Sequence, residues 1–153
     1  MSGYLDAYLL DTCAWSRMQQ EADLWDLWAD DIDDGRVWIC DPVRLEMLTS
    51  SRSTADRDQL VDDLFELFGT PVSADRGVWR LADTIHAALT AKGLQRGPGV
   101  VDILLCATAV RHGMIVISED GDIRTVAGVV PELRRVDVRE GPPGEPRPPM
   151  TAD

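Results

Sequence analysis

The sequence predicts an α/β protein, a three-layer α/β/α sandwich around a central, mainly parallel sheet. Three observations predict it. Short apolar runs without polar alternation recur at 7–11, 37–40 and 114–118, as expected of strands buried on both faces, with 133–138 read as a last strand. Amphipathic segments of helical period separate them. At 153 residues, with 44% hydrophobic and 27% charged residues, the chain suffices for one packed domain and is not disordered throughout.

Each element has its local reason. AYLLD at 7–11 reads as a buried strand ending on a carboxylate. From Glu21 to Asp34, Leu24, Trp25, Trp28 and Ile32 share one helical face, acids take the other, and Gly35 ends the helix. VWIC at 37–40 is a second strand, running into Asp41-Pro42, an N-cap with proline at the first helical position. The helix that follows carries Val43, Met47 and Leu48 and fades in the polar stretch 49–54. Leu60, Val61, Leu64, Phe65 and Phe68 mark another helix over 58–68, and 71–73 reads as a short strand. A long helix over 75–91 stops at Gly93, with Trp79 at core spacing. Beyond the Gly97-Pro98-Gly99 breaker, 100–111 is almost wholly apolar and so buried. MIVIS at 114–118 is the clearest strand, and 133–138 the last. The domain is expected to span 1–140. From Gly141 on, GPPGEPRPPMTAD holds five of the nine prolines and is expected to be a disordered tail.

Charge narrows the function. Twenty-seven acids against 15 bases give −12, which argues against loose nucleic-acid binding and against anionic membrane surfaces. Residues 19–34 hold seven acids and no base, and 56–66 hold five acids and one base. Nearly all the excess charge thus sits on two predicted helices, where it could attract a basic partner. The start has no secretory pattern and no apolar run is long enough to span a bilayer. Three cysteines without a CxxC pair fit a reduced, cytoplasmic protein.

In an open parallel sheet, ligands sit beyond the carboxyl ends of the strands. Asp11 closes the first strand, Glu46 lies one turn into the helix after the second, Asp102 opens the apolar helix, and Asp120 and Asp122 follow MIVIS. Singly, Asp11 also reads as a strand-end or Asx-turn acid, Asp102 as a first-turn acid favoured by the helix dipole, and Asp120 and Asp122 as loop acids. Glu46, on a face expected to be apolar, needs a partner. Together they are harder to explain without a cation. Like charges 4 Å apart cost about 4 kcal/mol per pair at an effective dielectric near 20. Oxygen-only ligands suit Mg2+ or Mn2+.

LLDTCAWSR at 9–17, CDPVRLEML at 40–48, VVDILLCATAVRHG at 100–113 and IVISEDGDI at 115–123 resemble a PIN-domain ribonuclease, most closely a VapC-type toxin of bacterial toxin–antitoxin pairs. The resemblance spans about 7–138 and implies that Asp11, Glu46, Asp102 and Asp120 are the acids of the site. Asp122 matches a second acid of the last loop, acting through water, and Thr12 and Ser118 match flanking hydroxyl residues. Two positions depart from the family: Cys13 stands where Ser or Asn is usual, and Ile123 where Phe is usual.

What the resemblance implies is metal-dependent hydrolysis of an RNA phosphodiester. Asp11, Asp102 and Asp120 would hold one or two Mg2+, and a water oriented by Glu46 or Asp120 would attack in line, leaving 5′-phosphate and 3′-hydroxyl ends. Arg17, Arg44, Arg52 and Arg124 are candidate RNA contacts, and a cognate antitoxin and a homodimer are expected partners. With only His86 and His112, each in or at the end of a predicted helix, a two-histidine cyclising ribonuclease is disfavoured. Zinc spacing and a P-loop are missing, and the cysteines lack an electropositive setting. Trp15, after the first strand, is the tryptophan expected to touch substrate or partner. A non-catalytic metal- or protein-binding module with this fold is the alternative.

Overall fold

The computed structural model of the chain describes residues 6–119 and 121–143. Strand β1 (Tyr8–Leu10) leads into helices α1 (Thr12–Gln20) and α2 (Ala22–Asp33). Strand β2 (Val37–Trp38) precedes four helices: α3 (Asp41–Leu48), α4 (Thr54–Phe68), α5 (Arg76–Ala91) and α6 (Val100–His112). Strand β3 (Ile115–Ser118), helix α7 (Gly121–Ala127) and strand β4 (Arg134–Asp137) complete it.

The four strands form one parallel sheet in the order β2-β1-β3-β4. In register, Tyr8 pairs with Ile115 and Leu10 with Ile117, while Ser118 pairs with Asp137. Every residue of β1 and β3 is buried, so helices cover both faces and the three-layer sandwich follows. The sheet order puts the carboxyl ends of β1 and β3 side by side at its centre.

Helix ends are fixed by named contacts. Ser53 caps α4 through the Asp56 N–H, and Asp75 caps α5 through the Val78 N–H at 2.9 Å. Arg111, at the end of α6, reaches Asp75 at 3.2 Å and lays its guanidinium over Gly77, where a Cβ would overlap it. That contact clamps the start of α5 to the end of α6. Trp28 on α2 donates its indole N–H to the Val138 carbonyl at 2.8 Å, and Gly141, at φ +74°, packs where a Cβ would meet Leu27 at 2.8 Å.

Several sequence expectations need correction. α1 and α7 are helices where the sequence pattern offered only a strand end and an acidic loop. Residues 71–73 contribute a single parallel bridge, Cys40 to Val72, not a strand. Trp15 is 6% exposed and packed edge-on against Trp25 and Phe68, so it belongs to the core and not to the surface expected of a substrate or partner contact. Trp79 is the reverse, 52% exposed because α5 buries Val78, Ala82, Ile85 and Leu89. Asp31 is buried and ion-paired with Arg36, whereas Asp30, Asp33 and Asp34 beside it are exposed, Asp34 also reaching Arg36 at 3.6 Å. Gly141 is buried against α2, and the expected tail over 144–153 lies outside the described residues. No helix among the described residues is long and apolar enough to cross a membrane.

Candidate active site

Asp11 is the residue at which β1 becomes α1. Its N–H donates to the Ile117 carbonyl at 3.0 Å, continuing the β1–β3 ladder, and its carbonyl accepts from the Trp15 N–H at 3.0 Å. The backbone is therefore tied on both sides. The side chain is 2% exposed and makes no capping hydrogen bond to α1. A carboxylate is thus held inside the carboxyl edge of the two central strands. On either side, Thr12 Oγ1 and Ser118 Oγ are buried without a hydrogen-bond partner among the described residues.

Asp102 stands in the first turn of α6, where its Oδ2 accepts the Gly99 N–H at 2.9 Å. One turn on, Cys106 records what surrounds it. Burial first, then the charges of Asp102 and Asp11, push its thiol far up from the ordinary value. Cys40, at the end of β2, is pushed up to about 11, by burial first and with Asp41 and Asp11 adding. The charges of Asp11 and Asp102 thus both reach the buried Cys106 thiol. Asp122, in the first turn of α7, approaches the Gly97–Gly99 loop: a Cβ on Gly97 would lie 4.0 Å from its Oδ1, and one on Gly99 3.5 Å from Asp102 Oδ2. That loop borders both carboxylates.

Other expected residues fall differently. Asp120 lies outside the described residues. Glu46 is exposed, on the flank of α3 beside the buried Val43, Met47 and Leu48, so the expected apolar face and burial are not found. Arg17 is exposed and gives its Nε to both Glu119 oxygens, at 3.0 and 2.8 Å. Arg44 is half-buried and lines a cleft of about 480 Å³ between α3 and α4 with Asp41, Val61 and Phe65. Arg52 is exposed before α4 and Arg124 exposed on α7. Glu119 and Arg139 were not singled out by sequence, and Gly97-Pro98-Gly99 only as a helix breaker. Arg17 and Glu119 are 102 residues apart, so no local pattern joins them.

A second cleft, of about 550 Å³, opens along α1 and the end of β3, lined by Cys13, Ser16, Arg17, Gln20, Glu119 and Gly121. Among the described residues no three His, Cys, Asp or Glu side chains form a group that could hold a metal ion. A hard divalent cation does not require one. Mg2+ is commonly bound by one or two carboxylates, retained waters and substrate phosphate. A buried carboxylate beside two buried hydroxyls without a hydrogen-bond partner among the described residues, with the charge of Asp102 reaching the same buried thiol, offers oxygen donors of that kind.

The sequence matches the PIN domain family over residues 8–129. Ribonuclease VapC18 of Mycobacterium tuberculosis (strain ATCC 25618 / H37Rv) is 30% identical over 122 residues, covering 80% of this chain and 88% of that protein. VapBC2 from Rickettsia felis, bound to a DNA fragment from their promoter, aligns over 86% of this chain and 98% of its own, with a TM-score of 0.70 and 14% identity. VapBC-5 from Mycobacterium tuberculosis, a member of the VapBC family of toxin-antitoxin systems, aligns over 86% and 98% with a TM-score of 0.58 and 18% identity. The structural likenesses speak for the fold, and the sequence match runs from β1 through α7, taking in both carboxylates that act on Cys106. On that extent this chain belongs to the PIN domain family, in the company of the VapC ribonucleases.

Proposed function

We propose that the chain is the toxin of a toxin–antitoxin pair, an endoribonuclease that hydrolyses RNA phosphodiester bonds with Mg2+ or Mn2+ held by carboxylates. One observation carries this reading: the buried carboxylate of Asp11 at the carboxyl edge of β1 and β3, with the charge of Asp102 reaching the same buried thiol. A buried carboxylate whose neighbourhood also feels the charge of the half-buried Asp102 is costly unless a cation sits with it. The ribonuclease named among the relatives and the toxin-antitoxin systems among the structural neighbours support the same reading.

Asp11, Asp102, Asp120 and Asp122 would hold the cation. When bound, it screens phosphate charge and acidifies water. The chain's own residues supply the rest. The tied backbone of Asp11 aims its carboxylate, and the Gly99 N–H orients Asp102. Thr12 and Ser118 offer hydroxyls for a water or a phosphate oxygen, and Glu46 or Asp120 orients the attacking water. Arg17, Arg44, Arg52 and Arg124 are the proposed RNA contacts. A cognate antitoxin and a second copy of the chain are the proposed protein partners, the latter checked by light scattering at micromolar concentration.

The test is incubation with structured RNAs in Mg2+ or Mn2+, with EDTA controls and mapping of product ends. Cleavage that stops with EDTA and leaves 5′-phosphate and 3′-hydroxyl termini is expected. Cyclic phosphate ends would replace metal-assisted hydrolysis with attack by the 2′-OH, and no metal-dependent cleavage of any RNA tried would defeat the nuclease and leave a metal- or protein-binding module.

A further inference from the structure

The β3–β4 pairing ends where Ser118 O accepts the Val138 N–H at 3.0 Å. Side chains continue it. Glu119, the next residue of one segment, meets Arg139, the next of the other, at 3.0 Å. From the opposite flank Arg17 of α1 donates its Nε to both Glu119 oxygens, at 3.0 and 2.8 Å. Arg139 also reaches Glu21, at the α1–α2 junction, at 3.5 Å. Both oxygens of Glu119 are thus engaged by guanidinium groups, and its charge is compensated where other acids gather.

We propose that Glu119, gripped by Arg17 and Arg139, is a positioning residue that fixes the end of β3 where the chain leaves for α7, and makes the placement of α7 with Asp122 depend on the segment following β4. This rests on the proposal above that the acidic edge holds a divalent cation. In sequence, Glu119 stands between Ser118, whose hydroxyl flanks Asp11, and Asp120, so holding Glu119 holds the lead into α7. The segment behind Arg139 is itself anchored in the core. The buried Trp28 indole bonds the Val138 carbonyl at 2.8 Å, and Gly141 packs against Leu27. Arg139 thereby carries the rigidity of a buried anchor to the half-buried Glu119. A charge-assisted bond that Arg17 spreads over both oxygens holds orientation better than a single contact. Outer partners of this kind affect metal affinity and turnover more than stability.

The test compares wild type with Glu119→Gln and Arg139→Met. Mn2+ is titrated into each metal-free protein, backbone hydrogen exchange over 119–123 is followed without metal, and kcat and KM are measured on RNA. Mn2+ affinity and kcat are expected to fall about 10-fold, with KM nearly unchanged. Exchange over 119–123 should rise, Tm should stay within about 4 °C, and Arg139→Lys should restore most of the loss. Should Arg139→Met fail to fold, Glu119→Gln carries the same test without touching the segment after β4. Wild-type Mn2+ affinity and kcat in the variants overturn the proposal, even where exchange rises. A rise in KM alone overturns it too, because the arginine then contacts RNA. If wild type binds no Mn2+, the cation site itself falls and this proposal with it, a result that needs no variant.

Discussion

Three thiols report on the site from different depths. Cys40 and Cys106 are buried and held up in pKa, by burial first and by the Asp11 charge among the acids that add to it. Cys13 is exposed in the cleft along α1. Alkylation of the native protein near pH 8 should therefore label Cys13 alone, read by peptide mass mapping. Labelling of Cys106 in the folded state would show that the α6 turn below Asp102 is not closed. The same carboxylates set a linkage. A cation bound only by the fold adds about 2.7 kcal/mol at a concentration 100 times its Kd, roughly 5–10 °C in Tm for a chain of this size. Mn2+ should produce that shift in wild type and not in Asp11→Asn. A variant with the full shift would remove Asp11 from the donor set. Asp31 shows a buried acid doing structural work instead. Burial raises its pKa, with the Arg36 charge opposing, so the protonated form favours the fold. That contribution is full below the unfolded pKa, near 4, and is lost as pH rises through the higher folded pKa. Asp31→Asn should flatten the fall in stability over that window in urea titrations. A variant with the wild-type slope would contradict the assignment.

Among the elements, the buried strands were legible because all-apolar runs have few alternatives, and α6 because its length excluded a strand. α1 was not. It buries only Ala14, Trp15 and Met18, and Cys13, Ser16, Arg17 and Gln19 face outward, so its periodicity is weak over nine residues. Trp79 and Glu46 failed for a related reason. Helical spacing shows that a face exists, and the edge of that face is drawn by packing against elements distant in sequence. Val43 and Met47 bury one stripe of α3, which leaves Glu46 on its flank. Asp11 and Asp102 were legible because the sheet rule names the edge where chemistry gathers. The Glu119 clamp was not, because its arginines come from α1 and from beyond β4. The α5–α6 clamp offers a clean test of packing against propensity. Ala exceeds Gly in a helix by about 1 kcal/mol, and at Gly77 it would displace the Arg111 guanidinium. Gly77→Ala should stabilise an Arg111→Ala background and gain nothing, or lose, in wild type, by chemical denaturation. A gain in both backgrounds would mean that Arg111 is not packed on the helix.

At the scale of the molecule, the charge of −12 concentrates on α2, the residues flanking it and α4. Asp30, Asp33 and Asp34 are exposed, whereas Asp31 is committed to Arg36. The acidic face proposed to draw a basic antitoxin segment is therefore better tested with Asp30→Asn, Asp33→Asn and Asp34→Asn together. The triple variant should weaken the antitoxin complex, mainly in on-rate and at low salt, and cleave RNA at the wild-type rate. Unchanged association would make the charge a matter of solubility. Such a protein cannot hold RNA by phosphate neutralisation over its whole surface, so its grip must be local. The central claim is that Asp11 and Asp102 share one divalent cation. The most direct measurement is Mn2+ titration of the metal-free protein, with free Mn2+ followed by electron paramagnetic resonance, in wild type, Asp11→Asn and Asp102→Asn. Saturable binding in wild type, weakened at least about 10-fold by each substitution, is the predicted result. Binding equal in all three proteins would contradict it.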